Sequence, residues 1–304
     1  MPQLPQLADF PTASEALTST VPRQLVHRAA VAETLLTGWS RIGTDRFRVA
    51  AQWPRAHQLH VSSDRTAYEP LLVTETVRQG GTLIAHTEYD VPLGHRFVLQ
   101  ELRVSTRPEH LRVGPLPAEP WVDISILDIR RRAGKVTAFD VEAAVFLENT
   151  QVGSAYFAAS WTSDPVYRRL RGGRTPENVT PLPLPPGLTP ADVGRTVPGD
   201  VVLAPADRRD RWQLRVDTAH PVFFDHPLDH VPGMLLLEAA GQAARVVHGG
   251  RRVPMSFHAT FDRYAELDLP TWIEAVPGPE GLVQVLGAQG DSAVFACGVG
   301  TVAQ

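Results

Sequence analysis

Two glutamates in apolar segments have the setting that acid–base chemistry requires. Glu75 lies in LLVTETVRQGG and Glu238 lies in GMLLLEAAGQ, and each is followed four residues later by a glutamine, Gln79 or Gln242. Residues four apart lie on one face of a helix, so each glutamate projects together with its glutamine. Burial on an apolar helix raises the pKa of a carboxyl group, which predicts a general base at these positions.

An arginine stands beside the first of these glutamates only. Arg78 follows Glu75 by three residues, whereas Gly241 occupies the equivalent position after Glu238. The planar guanidinium of Arg78 can bind a phosphate, or it can pair with Glu75 and lower the pKa of that carboxyl, and the two roles compete. Arg245 could replace the missing arginine in the second segment. We therefore favour the site around Glu75.

The sequence contains the same unit twice, which indicates how these helices are positioned. The stretch DRFRVAAQW resembles DRWQLRVDTA, each about twenty residues before its apolar helix, and the two glutamates are 163 residues apart. After each helix, segments such as WVDISILDIRRR and GLVQVLG alternate apolar and polar residues, which is typical of strands with one covered face. Each unit is predicted to be a long central helix wrapped by an antiparallel sheet. The predicted fold class is α+β, a double hotdog.

A proline-rich stretch divides the chain between the two units, because proline excludes both helix interiors and central strands. The predicted organisation is a flexible N-terminal tail (1–20), a first hotdog domain (21–165), a proline-rich linker (166–199) and a second hotdog domain (200–304).

Composition narrows the class of protein. A formal net charge of -4 over 304 residues argues against nucleic acid or an anionic membrane as the main partner. The single cysteine, Cys297, excludes an internal disulfide, and the histidines lack metal-ligand spacing. No glycine-rich phosphate loop and no apolar run of about 18 residues occurs. We expect a cytoplasmic protein without metal or cofactor.

The lead-in to the second helix, FFDHPLDHVPGMLLLEAAGQ, resembles the pattern of hotdog dehydratases. In that pattern a histidine-proline stretch leads through Pro-Gly into a helix that carries Glu and then Gln. His226 and Gly233 fill matching places, although the histidine lies about two residues nearer to the Pro-Gly than in dehydratases.

The resemblance to one family extends through both repeats. The stretches VHRAAVAETLLTGW, AAQWPRAH, YEPLLVTETVRQGG, VPLGHRF and DHPLDHVPGMLLLEAA together resemble the A-factor biosynthesis hotdog family, in order from about residue 21 onward. The resemblance implies an acyltransferase that moves a β-ketoacyl group from acyl carrier protein to the hydroxyl of dihydroxyacetone phosphate. This is the first committed step toward γ-butyrolactone or butenolide autoregulators, quorum-sensing signals that control antibiotic production in actinobacteria.

The family's fold also implies how a site is assembled. In paired hotdog units a site combines the helix of one unit with a loop of the other, so His226 or His230 is expected to complete the site of Glu75. The alternative site pairs Glu238 with His57 or His60. Free backbone amides at the helix start near Gly233 suit a thioester oxygen.

The family pattern has arginine beside both glutamates, so Gly241 is a departure from it. The expected catalytic residues are Glu75, Glu238 and His226. The expected substrate-binding residues are Arg78, Gln79, His230, Gly233, Gln242 and Arg245.

Two other functions fit the same fold. One is a dehydratase or thioesterase acting on acyl carrier protein or coenzyme A thioesters, with His226 and Glu238 as its residues. The other is a non-catalytic protein that binds acyl or lactone ligands. The two units are expected to pair within a monomer, or the chain is expected to form a homodimer.

Overall fold

The computed structural model describes residues 19–303, so most of the predicted tail (1–20) lies outside the described residues. The described chain forms three α-helices, which are α1 (Pro70–Glu88), α2 (Asp164–Leu170) and α3 (Gly233–Val247). Short 3-10 turns lie at Arg23–Val26, Val31–Glu33, Pro108–His110, Pro190–Val193, Pro198–Asp200 and Pro279–Gly281.

The strands of residues 19–303 are β1 (Leu36–Gly43), β2 (Arg46–Ala51), β3 (Arg96–Thr106), β4 (Trp121–Arg132), β5 (Lys135–Leu147), β6 (Thr150–Thr162), β7 (Leu203–Pro205), β8 (Arg211–Leu214), β9 (Arg252–Phe261), β10 (Trp272–Pro277), β11 (Leu282–Gln289) and β12 (Ser292–Ala303). The strands predicted from alternation after each helix are confirmed as β4, β5 and β6 in the first half and β10, β11 and β12 in the second.

All twelve strands of the described chain belong to one antiparallel sheet with mirrored halves. The order is β1-β2-β4-β5-β6-β3 in the first half and β9-β12-β11-β10-β8-β7 in the second. The halves join where β3 pairs with β9, and Arg103 lies opposite His258 at the middle of that seam. An approximate twofold axis therefore passes between β3 and β9 and relates α1 to α3.

Each long helix is enclosed by the sheet of its own half. Fifteen of the nineteen residues of α1 are buried, including the polar Thr74, Glu75 and Gln79, so the helix has no wide solvent face. Pro70 begins α1, at a position where no intrahelical amide bond is lost. The predicted helix wrapped by a sheet is confirmed in both halves. Within residues 19–303 no helix is long and apolar enough to span a membrane.

The segment between the halves is anchored by buried arginines. Arg171 donates to Asp229 at 2.9 Å and to Glu266 at 2.7 Å, and its side chain is only 5% exposed. Removing a guanidinium from water is costly, and the two carboxylates compensate that cost through charge-assisted hydrogen bonds. The beginning of the connection is therefore fixed on the second half.

Helix α1 approaches its sheet so closely that a Cβ on either of two glycines would force a neighbouring side chain to shift. A Cβ on Gly81 would lie 2.3 Å from Cζ of Phe157 in β6, and one on Gly80 would lie 2.7 Å from Cδ1 of Ile124 in β4. In α3, by contrast, a Cβ on Gly241 would meet Phe257 at an ordinary contact distance of 3.5 Å.

Substituting Gly81 by alanine is expected to lower the free energy of unfolding by about 1–3 kcal/mol, because overpacking outweighs the better helix propensity of alanine. The matched substitution Gly241→Ala is expected to be neutral or to stabilise by up to about 1 kcal/mol. Urea unfolding of both variants measures the difference. Equal stability of the two would contradict the close approach of α1 to β6.

Candidate active site

Glu75 is the centre of a buried ionic cluster. Its side chain is 2% exposed, and Arg28 approaches Oε1 at 2.6 Å. Arg78 donates from Nε to Oε2 at 2.8 Å and from Nη2 to Oε1 at 2.7 Å. Gln79 adds a hydrogen bond from Nε2 to Oε1 at 2.7 Å. One carboxylate therefore binds two guanidinium groups and an amide.

This arrangement decides the direction of the pKa of Glu75, which the sequence left open between burial and pairing with Arg78. Burial acts to raise that pKa, but the charges of Arg28 and Arg78 and the hydrogen bonds to the carboxylate lower it below its usual value of 4.5. Glu75 is thus ionised at neutral pH and is a weak base in this arrangement. Of the two directions that the sequence left open, the structure favours the lowered pKa, because Arg78 pairs with Glu75 and Arg28 adds a second positive charge.

Arg28 also connects the two halves. Its Nη1 donates to the carbonyl oxygen of Val222 at 3.3 Å. The amides of the next two residues, Ala29 and Ala30, donate to the carboxylate of Asp225 at 2.6 and 2.9 Å. The helix of the first half and a loop of the second therefore meet at Glu75, as the paired arrangement predicts.

A second cluster surrounds Glu238, which lies on α3. Arg195 binds its carboxylate through two parallel hydrogen bonds, from Nε to Oε1 at 2.8 Å and from Nη2 to Oε2 at 2.6 Å. Nη1 of Arg195 donates to the carbonyl oxygen of Leu59 in the first half at 3.0 Å. This geometry repeats that of Arg28, Glu75 and Val222 with the halves exchanged.

The two glutamines are structural elements of these clusters. Gln79 is fully buried, donates to Glu75, and receives a hydrogen bond from the amide of Leu35 at 3.0 Å. Gln242 donates to Glu238 at 2.6 Å and accepts from the amide of Val202 at 3.0 Å. Each also donates to a backbone carbonyl, of Glu33 or Asp200. Substrate binding at Gln79 or Gln242 would have to replace these bonds.

Each half also contains a histidine that holds a loop, partly buried in the first half and buried in the second. Nδ1 of His57 accepts hydrogen bonds from the backbone amides of Leu59 and His60, both at 3.2 Å. Nε2 of His57 lies 3.3 Å from the carboxylate of Glu33. His220 repeats this in the second half, with Nε2 3.1 Å from Asp200. These histidines fix the loops whose carbonyls receive the arginines.

The twofold symmetry is broken next to the glutamates. Gly241 stands where the first helix has Arg78, so the second carboxylate binds one guanidinium where the first binds two. Arg245, proposed from the sequence as a substitute, pairs instead with Glu69 at 3.0 Å. It lies at the interface of the halves and does not contact Glu238.

The two histidines expected to complete the site lie in different surroundings. His226 is partly exposed, and its Nδ1 lies 3.4 Å from Oδ2 of Asp225. The preceding residue, Asp225, accepts the amides of Ala29 and Ala30 beside Arg28, which brings His226 near the Glu75 cluster. Burial lowers the pKa of His226, and the charges of Arg28 and Arg78 add to that shift. His230 instead contacts Asp229 at 2.8 Å, within the network that anchors the linker. It is not brought to either glutamate.

Gly233 begins α3 directly after Pro232, as expected. Its first amides have no partner within the helix, which leaves them available to an oxygen. The space beside Gly233 is limited, because a Cβ there would lie 3.3 Å from the ring of Phe261.

A cleft lies between the two clusters, on the approximate twofold axis. Its empty space is about 270 Å³ including its opening to solvent, and it is lined by Arg28, Leu59, His60, Leu71, Val222, Phe223, Met234 and Glu238. Only about 10 Å³ of that space is open to the centre of a water-sized sphere, which is room for about one water molecule, so the cleft is nearly closed in this structure. It contains side chains of both halves and reaches both ionic clusters.

Arg28 and Arg195 are the functional residues that the sequence reasoning missed. Arg28 lies in the stretch VHRAAVAETLLTGW but received no role, and Arg195 lies in the predicted linker (166–199). The sequence contains a signal for both, since VHRAAVAETLL (26–36) aligns with VGRTVPGDVVL (193–203), with the arginines in the same place. This repeat has a spacing of 167, four more than the spacing of the glutamates, and comparison at a spacing of 163 alone conceals it.

Replacing Glu75 by glutamine is expected to lower the free energy of unfolding at pH 7 by about 3–5 kcal/mol, because the buried Arg28 and the partly exposed Arg78 lose their counter-charge. The pKa of Glu75 is lowered in the folded state, so its stabilising contribution is present above pH 4.5 and is lost as the pH falls further. The difference between Glu75→Gln and the unchanged protein should therefore shrink below pH 4.5 in urea unfolding.

The matched control is Glu101→Gln, which removes a partly exposed carboxylate paired with Arg103 and His258. That change is expected to cost less than about 1 kcal/mol. A similar cost for both variants would show that Glu75 does not hold a buried ionic cluster.

Comparison with known proteins places the chain in a family. The model of the A-factor biosynthesis hotdog domain matches residues 11–163 and 177–284. A 2-oxo-3-(phosphooxy)propyl 3-oxoalkanoate synthase of Streptomyces virginiae is 47% identical over 292 residues, which covers 94% of this chain and 98% of the relative. A protein of the same name from Streptomyces coelicolor is 40% identical over 284 residues, covering 90% of this chain and 89% of the relative.

Solved structures with a similar fold include the 12:0-ACP thioesterase from Umbellularia californica, with a TM-score of 0.51 and 10% identity over 86% of this chain and 99% of the other. An acyl-ACP thioesterase from Bacteroides thetaiotaomicron has a TM-score of 0.50 and 14% identity over 84% of this chain and 98% of the other. At these identities the likeness concerns the fold alone, and it confirms the double hotdog. The chain belongs to the A-factor biosynthesis hotdog family.

Proposed function

We propose that this protein is an acyltransferase that joins a 3-oxoalkanoyl group to dihydroxyacetone phosphate. The observation that carries the proposal is the 47% identity to a 2-oxo-3-(phosphooxy)propyl 3-oxoalkanoate synthase over 94% of this chain. That name describes an ester of a 3-oxo acid with the free hydroxyl of dihydroxyacetone phosphate. The ester begins the route to γ-butyrolactone-type autoregulators.

The acyl donor in this proposal is a 3-oxoacyl thioester on acyl carrier protein. The hydroxyl oxygen of dihydroxyacetone phosphate attacks the thioester carbonyl carbon, so that a C–O bond forms and the C–S bond breaks. The hydroxyl proton ends on the released thiol. The reaction needs a base at the hydroxyl, positive charge at the phosphate and a hydrogen-bond donor at the carbonyl oxygen.

Arg78 is the proposed ligand of the phosphate. Its side chain is 28% exposed, whereas that of Arg28 is 9% exposed, so Arg78 is the guanidinium of this cluster that solvent reaches more easily. Arg28 already neutralises Glu75, which allows Arg78 to exchange the carboxylate for a phosphate at lower cost. Glu75 then acts as a positioning residue that holds both arginines.

His226 is the proposed general base. Asp225 lies on its Nδ1 side at 3.4 Å, which orients the ring and leaves Nε2 as the acceptor for the hydroxyl proton. Burial lowers the pKa of His226 from its usual value of 6.5, so the ring is neutral and able to accept a proton at pH 7. A thioester oxygen can bind the free amides at the start of α3, near Gly233.

The cluster around Glu238 has no counterpart of Arg78, and its carboxylate is fully engaged by Arg195 and Gln242. We propose that Glu238 supports the loop at Leu59 and that transfer takes place on the side of Glu75. Gln79 and Gln242 have the same supporting role.

The test is a mass measurement of products from a 3-oxoacyl thioester, on acyl carrier protein, with and without dihydroxyacetone phosphate. Loss of the thioester only when the acceptor is present, with formation of the phosphorylated ester, is the expected result. Loss without acceptor would identify a thioesterase. Ligand binding without any turnover would identify a non-catalytic binder.

In the same assay, Arg78→Ala and His226→Gln are expected to act on different kinetic constants. Arg78→Ala should raise the KM for dihydroxyacetone phosphate with little change for the thioester, because it removes the phosphate ligand. His226→Gln should lower kcat by about 10²–10⁴-fold, because it removes the base.

The pH profile separates the base from a structural histidine. Since His226 accepts a proton only when it is neutral, kcat/KM of the unchanged protein should fall with decreasing pH in a limb below pH 6.5, and His226→Gln should lack that limb. His258→Gln, at an exposed histidine, is the control and should keep it. An unchanged acid limb in His226→Gln would rule out His226 as the base.

A further inference from the structure

His60 is a buried histidine whose ring has no hydrogen-bond partner. The residue is 3% exposed, and within residues 19–303 neither Nδ1 nor Nε2 is bonded. The ring stacks on that of His57, with centroids 4.4 Å apart and an interplanar angle of 20°. Buried polar atoms without partners are uncommon and destabilising, so this ring calls for an explanation beyond packing.

The other half shows that packing alone does not require a histidine here. The residue equivalent to His60 is Phe223, which follows His220 by three residues as His60 follows His57. The fold therefore accepts an apolar aromatic ring at this position. The imidazole brings a loss of stability that phenylalanine avoids.

The unpartnered ring lines the cleft between the halves. The other lining groups with charge, Arg28 and Glu238, are already engaged by Glu75 and Arg195 respectively. The remaining lining residues, among them Leu59, are apolar. His60 is therefore the polar side chain of the described lining whose hydrogen-bonding capacity is unused.

The imidazole of His60 is neutral. Burial, and then the neighbouring His57, hold the pKa of His60 well below its usual value of 6.5. A neutral imidazole presents one N–H donor and one acceptor nitrogen. In an apolar cleft such a donor fits an uncharged carbonyl oxygen better than a phosphate, which requires a positive charge.

We propose that this cleft widens to admit the acyl group of the donor and that the N–H of His60 donates to its 3-oxo oxygen. The inference rests on the proposed function, in which a 3-oxoacyl thioester is the donor. It makes His60 the residue that selects 3-oxoacyl chains over saturated ones. The chain itself contacts Leu59, Leu71, Val222 and Met234. A saturated acyl group leaves the imidazole without a partner, and the cleft discriminates against it for that reason.

The experiment measures binding in the absence of acceptor, by titration calorimetry with S-(3-oxooctanoyl)-N-acetylcysteamine and S-octanoyl-N-acetylcysteamine. The unchanged protein should bind the 3-oxo probe more tightly. His60→Phe, which copies the residue of the second half, should weaken binding of the 3-oxo probe by about five- to hundredfold and leave the octanoyl probe unaffected. Its Tm should be unchanged or higher, because a buried unpaired polar ring is removed.

His60→Gln keeps an N–H donor near the position of Nε2 and should retain part of the preference for the 3-oxo probe. His258→Gln, at an exposed histidine, is the control and should retain all of it. Full preference in a folded His60→Phe variant overturns the proposal, and so does equal binding of both probes by the unchanged protein. A preference that depends on His60, in a protein that transfers no acyl group to dihydroxyacetone phosphate, supports the cleft and overturns the proposed function instead.

Discussion

The paired halves depend on one repeated interaction, a buried arginine that binds the glutamate of its own half and a backbone carbonyl of the other. Arg28 joins Glu75 to Val222, and Arg195 joins Glu238 to Leu59. A buried guanidinium needs both charge compensation and partners for its remaining N–H groups. Because the carbonyl comes from the opposite half, neither arginine is satisfied until the halves are docked. The ionic clusters therefore fix the geometry of the space between them.

The function proposed here depends on where this symmetry is broken. Both halves have the arginine, the glutamate and the glutamine, so these residues support the fold in both. Arg78 has no counterpart in α3, and His60 has phenylalanine as its counterpart. Positions that the fold has filled in two chemically different ways are not determined by packing alone. For this reason Arg78 and His60 are better indicators of substrate chemistry than the repeated residues.

The sequence predicted the elements well because their signals are local. Both helices and the strands after them follow from apolar periodicity, and the repeat revealed that there are two units. The ionic clusters were missed because their partners are distant: Arg28 lies 47 residues from Glu75, and Arg195 lies 43 from Glu238. Periodicity contains no information on such contacts. The sequence consequently left the direction of the pKa of Glu75 open, since burial and Arg78 could be foreseen and Arg28 could not.

The positions of two histidines show the same limit of prediction from sequence. His226 and His230 stand four residues apart in one loop, and the sequence offered both as partners of Glu75. The loop turns between them, so His226 lies near the arginines and His230 joins Asp229 beneath the linker. Spacing in a loop does not define a common face as it does in a helix. Only the three-dimensional structure distinguishes the surroundings of His226 from those of His230.

Because the two halves that meet at β3 and β9 belong to one chain, the molecule has a property that two separate subunits would lack. Two copies of a single-unit protein share every substitution, so a new residue appears on both sides of the axis whether or not both sides tolerate it. A tandem chain always contains one copy of each half. Each half can therefore accumulate its own amino-acid substitutions. One side can thus lose an arginine or gain an unbonded imidazole while the opposite side preserves the scaffold.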